Sequence, residues 1–104
     1  MTLTFAIGKE NVQKIKLSDN STGVFAPADL STVTRVVMEL GEVVIDSDII
    51  TDAFDWSANN GTITIKILNV PDLQEGTYDA SVTIYKPTAP AGIQWMPSFK
   101  VKLV

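Results

Sequence analysis

The segment that decides the fold is residues 77–85, which reads Thr-Tyr-Asp-Ala-Ser-Val-Thr-Ile-Tyr. Apolar or small side chains occupy every second position from Tyr78 to Ile84, and polar side chains lie between them. A period of two is typical of a β-strand that buries one face. Residues 62–68, Thr-Ile-Thr-Ile-Lys-Ile-Leu, show the same alternation. Both segments are therefore predicted to be strands.

Further segments with short apolar alternation lie near residues 2–7, 12–18, 33–40, 42–45 and 99–103. Residues that favour turns separate them, as at Asn59-Asn60-Gly61. Seven or eight short antiparallel strands in about 100 residues predict an all-β sandwich of two packed sheets. The expected core residues are Leu3, Phe5, Ile7, Ile15, Leu17, Val36, Met38, Leu40, Ile63, Ile65, Ile67, Leu73, Tyr78, Ala80, Val82, Ile84, Phe99, Val101 and Leu103.

Length and composition limit the classes of function. With 104 residues, the chain is expected to form one domain spanning residues 1–104. It contains neither cysteine nor histidine. Disulfide bonds, Cys/His zinc sites and catalysis by Ser-His-Asp or Cys-His groups are therefore excluded. We expect no cofactor and no enzymatic activity.

Charge and hydropathy argue against nucleic-acid and membrane partners. Eight Lys and Arg residues against twelve Asp and Glu residues give a net charge of −4, whereas nucleic-acid binding requires clustered basic residues. No apolar run approaches the roughly 20 residues that cross a bilayer, and the first residues lack the features of a signal peptide. Synthesis in the cytoplasm, without secretion by the signal route, is expected.

Four aspartates form the most acidic part of the sequence and are candidates for a calcium site. Calcium takes about six to eight oxygen ligands, often carboxylates from one loop. The spacing does not match an EF-hand, and a solvated acidic connection between the sheets is the simpler interpretation. A glycosidase carboxylate pair is a remoter alternative. The four residues are Asp46, Asp48, Asp52 and Asp55.

Three aromatic residues, Trp56, Tyr85 and Trp95, are candidates for a platform that binds a sugar ring. Strand parity agrees only in part, because Trp95 shares a face with Phe99 of the predicted core, whereas Tyr85 faces outward. Packing and interface use are the competing interpretations.

Two surfaces are predicted to contact partner proteins. The first is a loop over residues 86–92, whose prolines stiffen it and reduce the entropy lost on binding. The second is an apolar patch on outward strand faces, because exposed apolar strands mark interfaces. A neighbouring loop that covers the patch is the alternative. The predicted contact residues are Lys86, Pro87, Thr88, Ala89, Pro90, Ala91, Gly92, Val37, Val43, Val44 and Tyr85.

Residues 73–80 resemble the turn into strand F of an immunoglobulin-like domain. There a glycine opens the turn, and a tyrosine two residues before the usual cysteine caps the corner through its hydroxyl. Gly76 and Tyr78 match these positions, and Ala80 stands where the cysteine would be. The resemblance implies an all-β, immunoglobulin-like β-sandwich of seven or eight antiparallel strands. The absence of tryptophan from residues 33–40 separates the chain from the antibody family itself.

The order of several short motifs is similar to that in immunoglobulin-like domains of tailed-phage virion proteins, such as the N-terminal domain of upper baseplate proteins. The similarity covers nearly the whole chain. The motifs are Asp19, Pro27 followed by Asp29-Leu30, the central strand at 34–40, Gly76 with Tyr78, and Ser98-Phe99-Lys100-Val101.

This resemblance implies a non-enzymatic structural protein of the virion, made in the host cytoplasm. It would bind other virion proteins in a multi-copy assembly, as a capsid decoration or as a tail or baseplate component. A homo-oligomer is compatible with that role, whereas nucleic acid, membranes, metals and cofactors have no part in it. A carbohydrate-binding module and a small bacterial protein-interaction domain are the alternatives.

Overall fold

The computed structural model describes residues 2–9, 12–16, 18–19, 26–27, 30–56, 61–67, 70 and 73–104, with side chains except at 18–19, 26–27 and 95–98. Throughout these ranges the chain forms strands and turns and no helix, so the all-β prediction is confirmed. A helix with the length and apolar character needed to span a membrane is not found in them.

The described residues form ten strands, some of only two or three residues. They are β1 (Thr2–Phe5), β2 (Val12–Lys16), β3 (Ser18–Asp19), β4 (Ala26–Pro27), β5 (Arg35–Leu40), β6 (Val43–Asp46), β7 (Phe54–Trp56), β8 (Thr62–Lys66), β9 (Gly76–Lys86) and β10 (Ala89–Leu103).

Two sheets contribute side chains to one core, consistent with a β-sandwich. The larger sheet has the order β1-β10-β9-β5-β6 and the smaller has the order β2-β8-β7, while β3 and β4 pair separately. Neighbouring strands are antiparallel except β1 and β10, where Thr2 lies opposite Lys100 and Phe5 opposite Leu103 in parallel register. The prediction of antiparallel strands throughout is therefore wrong for β1, because the first strand runs alongside the last one in the same direction.

A two-residue turn between β5 and β6 sets the faces of the larger sheet. Leu40 pairs with Val43, and Gly41 between them has a φ of 59°, a conformation that glycine adopts without strain. On its other side β5 pairs with β9, so that Arg35 lies opposite Tyr85. Because side chains alternate, the even-numbered residues of β5 point into the core and the odd-numbered residues form the outer face.

Most of the predicted core is buried. Phe5, Met38, Ile63 and Val82 are fully buried. Ile7, Leu73 and Tyr78 are only partly buried and pack against the margin of the core. Leu17 lies outside the described residues.

Among the described residues, four buried apolar residues in the connections between strands were not predicted, because alternation does not reveal them there. The Val33 N–H donates to the Leu30 carbonyl at 3.1 Å, and the Val70 N–H donates to the Ile67 carbonyl at 3.0 Å. The side chains of Val33 and Val70 both pack in the core. The four residues are Leu30, Val33, Ala53 and Val70, and buried Ile45 and Phe54 in β6 and β7 complete the set that alternation missed.

Candidate protein interface

The segment predicted to be a long contact loop is a tight hairpin. β9 continues to Lys86, β10 begins opposite it at Ala89, and Pro87 and Thr88 alone form the turn. The prediction of a loop over 86–92 is therefore wrong, because backbone pairing extends nearly to the tip. A register shift between residues 89 and 93 absorbs the extra length, as a β-bulge does.

The hairpin is exposed at its tip and closely packed at Gly92. That residue has a φ of 89°, and a Cβ there would lie 2.8 Å from Thr83 Cγ2 and 2.9 Å from Tyr85 Cε1. Backbone conformation and lack of space both require glycine. Pro87, Thr88, Pro90 and Ala91 are exposed, whereas Lys86, Ala89 and Gly92 are half-buried.

Beside this glycine, the outer face of the larger sheet carries an ordered polar group, the outer-face cluster of Arg35, Asp46, Asp48 and Tyr85. The Arg35 guanidinium lies 4.8 Å from the centroid of the Tyr85 ring. Its Nε donates to Asp46 Oδ1 at 2.9 Å, and its Nη2 donates to Asp46 Oδ2. Such a bidentate pair fixes the guanidinium plane. Asp48 Oδ2 lies 3.6 Å from Arg35 Nε.

The electrostatics of the outer-face cluster centre on Asp46, which is 5% exposed. Its hydrogen bond from Arg35 lowers the pKa of Asp46 below its ordinary value, against the opposing effect of burial. The backbone N–H of Asp48 donates to Asp46 Oδ1 at 3.0 Å and lowers the pKa further. The bond to Asp46 likewise raises the pKa of Arg35. The pair is therefore ionised at neutral pH.

The three valines predicted to form an outward apolar patch are placed differently from one another. Val37 faces outward but is only 8% exposed, because Asp46 and Thr83 lie opposite it on the two neighbouring strands. Val43 points inward and packs at the core margin. Val44 is 59% exposed. The patch prediction therefore fails for Val37 and Val43, and Val44 is the valine of this set that is available to a partner.

The four aspartates do not converge on a metal site. Asp46 bonds to Arg35, Asp52 is exposed in the turn that follows, and Asp55 lies on β7 of the smaller sheet. Within the described ranges, no group of three or more acidic, histidine or cysteine side chains is placed to hold a metal ion. Asp46, the buried carboxylate among the four, accepts hydrogen bonds from Arg35 and from the Asp48 N–H.

The aromatic residues do not form one platform. Trp56 lies opposite Ile63 in the smaller sheet and packs against the core, whereas Tyr85 lies on the outer face of the larger sheet. Trp95 belongs to β10, but its side chain is outside the described part of the chain.

Tyr78 lies near the end of β9 that is far from the hairpin, and its hydroxyl bonds back to the preceding backbone. The Tyr78 hydroxyl donates to the Gln74 carbonyl oxygen at 2.9 Å. The ring fits closely against Gly41, where a Cβ would lie 3.0 Å from Tyr78 Cδ1. Tyr78, Leu73 and the β5–β6 turn line an open cavity of about 390 Å³.

Arg35 was not predicted as an interface residue, although the sequence contained a pattern that pointed to it. The two-residue turn at Gly41 and Glu42 places Leu40 opposite Val43. The same register brings Arg35 beside Asp46, which ends β6, and Asp48, which lies in the turn after it. The basic partner of the acidic segment could therefore be deduced from the hairpin, once its turn length was known.

A scan against protein-family models and a search of curated protein sequences both find no match to this chain.

Proposed function

We propose that the chain is an immunoglobulin-like module that acts by binding other proteins, as a non-enzymatic structural component of a bacteriophage virion. Strand order supports the immunoglobulin part. In variable-type immunoglobulin domains, strands C′, C, F and G share one sheet, while B, E and D belong to the other. Here β6-β5-β9-β10 and β2-β8-β7 occur in the same two orders.

The tyrosine corner is a second support for the immunoglobulin part. A tyrosine near the start of strand F that bonds back to the backbone is a hallmark of that architecture, and Tyr78 near the start of β9 makes this bond to Gln74. Two residues later Ala80 is 4% exposed and belongs to the core. A methyl group thus packs where antibody domains place a cysteine.

The observation that carries the protein-binding part is the outer-face cluster. Arginine and tyrosine are enriched among the residues that dominate binding free energies. Arg35 already stacks on Tyr85 and bonds to Asp46, so it loses little side-chain entropy on association. Val44 on the same face and Ile49 in the next turn, 79% exposed, add apolar surface. This combination suits a protein partner.

The virion part rests on the order of the sequence motifs. The central motif strand corresponds to β5, and the late Ser-Phe-Lys-Val motif lies within β10. Many copies in one particle would allow modest single-site contacts to suffice, since linked sites bind with high effective concentration.

Analysis of purified particles tests the virion proposal. We expect mass spectrometry of gradient-purified virions to detect this chain in many copies per particle. Its presence in the infected-cell lysate but not in particles would contradict the proposal.

A matched pair of variants tests the interface. We expect Arg35→Ala to reduce incorporation into particles, while Lys100→Ala, which removes an exposed cation paired with Asp79 on the same face, leaves it unchanged. Circular dichroism melting of both variants separates loss of contact from loss of fold. Equal incorporation of both folded variants would exclude the outer-face cluster as the contact.

A further inference from the structure

Among the described residues, no strand pairs with one edge of β10 over most of its length. β1 pairs with it only from Lys100 to Leu103, whereas β9 pairs with it from Ala89 onward on the other side. No described strand lies beside residues 89–99 on the β1 side. We call residues 89–99 of β10 the open edge. Unpaired strand edges present backbone donors and acceptors to a further strand.

Two hydrogen bonds determine which backbone groups face the open edge. The Ser47 N–H donates to the Val36 carbonyl at 3.0 Å. The backbone N–H and C=O groups of the even-numbered residues of β5 are therefore directed toward β6. The Gly41 N–H bonds to the Asp79 carbonyl at 3.0 Å, so odd-numbered residues of β5 and β9 bond to each other. In an antiparallel ladder these directions alternate. The even-numbered residues of β9 therefore bond to β10.

The same alternation points the backbone of Gln94 outward. Ile93 lies opposite Ile84, and their backbone groups form hydrogen bonds with each other. Gln94 lies opposite Thr83, and the backbone N–H and C=O of Thr83 are directed toward β5. Because these two pairs are consecutive in register, the N–H and C=O of Gln94 point away from β9. This residue, which is exposed, offers both a donor and an acceptor to an added strand.

Prolines and bulges limit the length of that strand. Pro90 and Pro97 have no N–H to donate, and register shifts between 89 and 93, between 94 and 96, and between 96 and 99 interrupt regular pairing. Six residues, 91–96, lie between the prolines. The open edge is therefore suited to a short segment and protected against pairing along its full length.

Charge and the position of β1 argue against a second copy of this chain as the occupant of the open edge and favour a different protein. Residues 87–99 contain no charged side chain, while Lys86 and Lys100 lie just beyond the two ends of this stretch. Symmetric antiparallel pairing of two open edges about Gln94 would place the tip at Pro87 and Thr88 of each copy beside Lys100 and Val101 of the other, where β1 already occupies the edge. The net charge of −4 on each copy adds repulsion. An uncharged segment of another protein meets none of these obstacles.

We infer that the open edge binds a short, extended, uncharged segment of a partner protein by strand addition, anchored by the backbone N–H and C=O of Gln94. This mode of binding gains affinity from main-chain hydrogen bonds. It deepens the protein-binding function proposed above and rests on it.

Selection from a phage-displayed library of random heptapeptides tests the inference. Gln94→Pro removes an N–H that the internal ladder does not use, whereas Gln94→Ala keeps the N–H and removes only the side chain. We expect enriched peptides to bind wild type and Gln94→Ala alike and to lose about tenfold in affinity for Gln94→Pro. Lack of enrichment, or equal binding to a folded Gln94→Pro protein, overturns the inference.

Amide hydrogen exchange measured by NMR provides a test on the unaltered chain. The Gln94 amide is expected to exchange rapidly in the free protein and to become protected by an enriched peptide, while the Ile93 amide stays protected in both states. Slow exchange at Gln94 in the free monomer overturns the geometry. If sedimentation detects a dimer of the wild type that Gln94→Pro converts to a monomer, the occupant of the open edge is a second copy of the chain. That result overturns the choice of a partner segment.

The two proposals fail separately. A chain that is present in virions but whose Gln94 amide is unaffected by any selected peptide refutes strand addition alone. A chain that binds peptides at Gln94 but is missing from virions refutes the virion role alone.

Discussion

Both faces of the larger sheet contain buried residues, but different interactions bury them. On the inner face Val36, Met38 and Ile84 are 0% exposed and belong to the core. On the outer face Val37 and Asp46 are 8% and 5% exposed, yet they lie among polar groups and an ion pair. Low exposure on this sheet therefore has two physical causes, apolar packing on one side and charge-assisted hydrogen bonds on the other.

Adjacent valines on β5 provide the most direct comparison of the faces. We expect Val36→Ala to lower the free energy of unfolding by about 2–3 kcal/mol, because it removes buried apolar area and leaves a cavity in the core. Val37→Ala, whose cross-strand neighbours Asp46 and Thr83 are polar and lie outside the core, should cost about 1 kcal/mol. Urea denaturation of both variants measures the difference. Equal losses would mean that the outer face is packed like the core.

Removing the charge of Asp46 tests the interaction that covers the outer face. We expect Asp46→Asn to lower the free energy of unfolding by about 1.5 kcal/mol, the low end of the range for hydrogen bonds to charged groups. The low end applies because the Arg35 side chain is 37% exposed, so water replaces part of the interaction that Arg35 loses. Asp48→Asn is the matched control, since that side chain is 64% exposed and its loss should be under about 0.5 kcal/mol. Equal effects in chemical denaturation would contradict a special role for Asp46.

The pH dependence of stability distinguishes the ion pair on the outer face from the apolar packing on the inner face. The pKa of Asp46 is lowered in the folded protein, so between the folded and unfolded pKa values the unfolded state binds more protons and stability rises with pH. The contribution is complete above the unfolded pKa of about 3.9 and is lost as pH falls through the folded pKa.

The stability difference between wild type and Asp46→Asn isolates this contribution from the other carboxylates. We expect the difference to be constant from about pH 5 to 8 and to shrink below about pH 4. The cost of Val36→Ala should show no such trend. Denaturant titrations across the pH series measure both, and a difference that grows in acid would mean that folding raises the pKa of Asp46 instead of lowering it.

A smaller effect than that of Asp46→Asn is expected at the margin of the inner face. Tyr78→Phe removes the hydroxyl that bonds to the Gln74 carbonyl and leaves the ring in place, so we expect a loss of about 1 kcal/mol or less. The midpoint of thermal or urea unfolding reports it. An unchanged midpoint would show that water replaces the bond fully.

Much of the fold was predictable from strand alternation, since a strand that buries one face must alternate. The predictions failed where burial or pairing does not depend on alternation along a strand. Leu30, Val33 and Val70 are buried in connections between strands, where side-chain directions have no period of two. Prolines indicated a loop over residues 86–92, but prolines are compatible with a bulged strand that is unpaired on one side.

The candidate interface was predictable only in part, because it depends on register between strands. Tyr85 was correctly assigned to an outward face. Its partners Arg35 and Asp46 come from two other strands, and alternation in one strand cannot specify which residues of another lie opposite. Val37 was misjudged for the same reason, because its exposure is set by Asp46 and Thr83 across the sheet.

The parallel pairing of β1 and β10 has a mechanical consequence. The ladder continues past the strands, with the Val104 N–H bonded to the Phe5 carbonyl and the Ile7 N–H bonded to the Val104 carbonyl, each at 2.9 Å. A force that pulls Thr2 and Val104 apart acts along the shared axis of these strands, so it loads their hydrogen bonds together in shear, whereas an antiparallel pair pulled at one end opens bond by bond. We expect single-molecule pulling between these residues to give a higher rupture force than pulling across the hairpin from Gly76 to Leu103. A module held at these two positions would resist tension through its first and last strands.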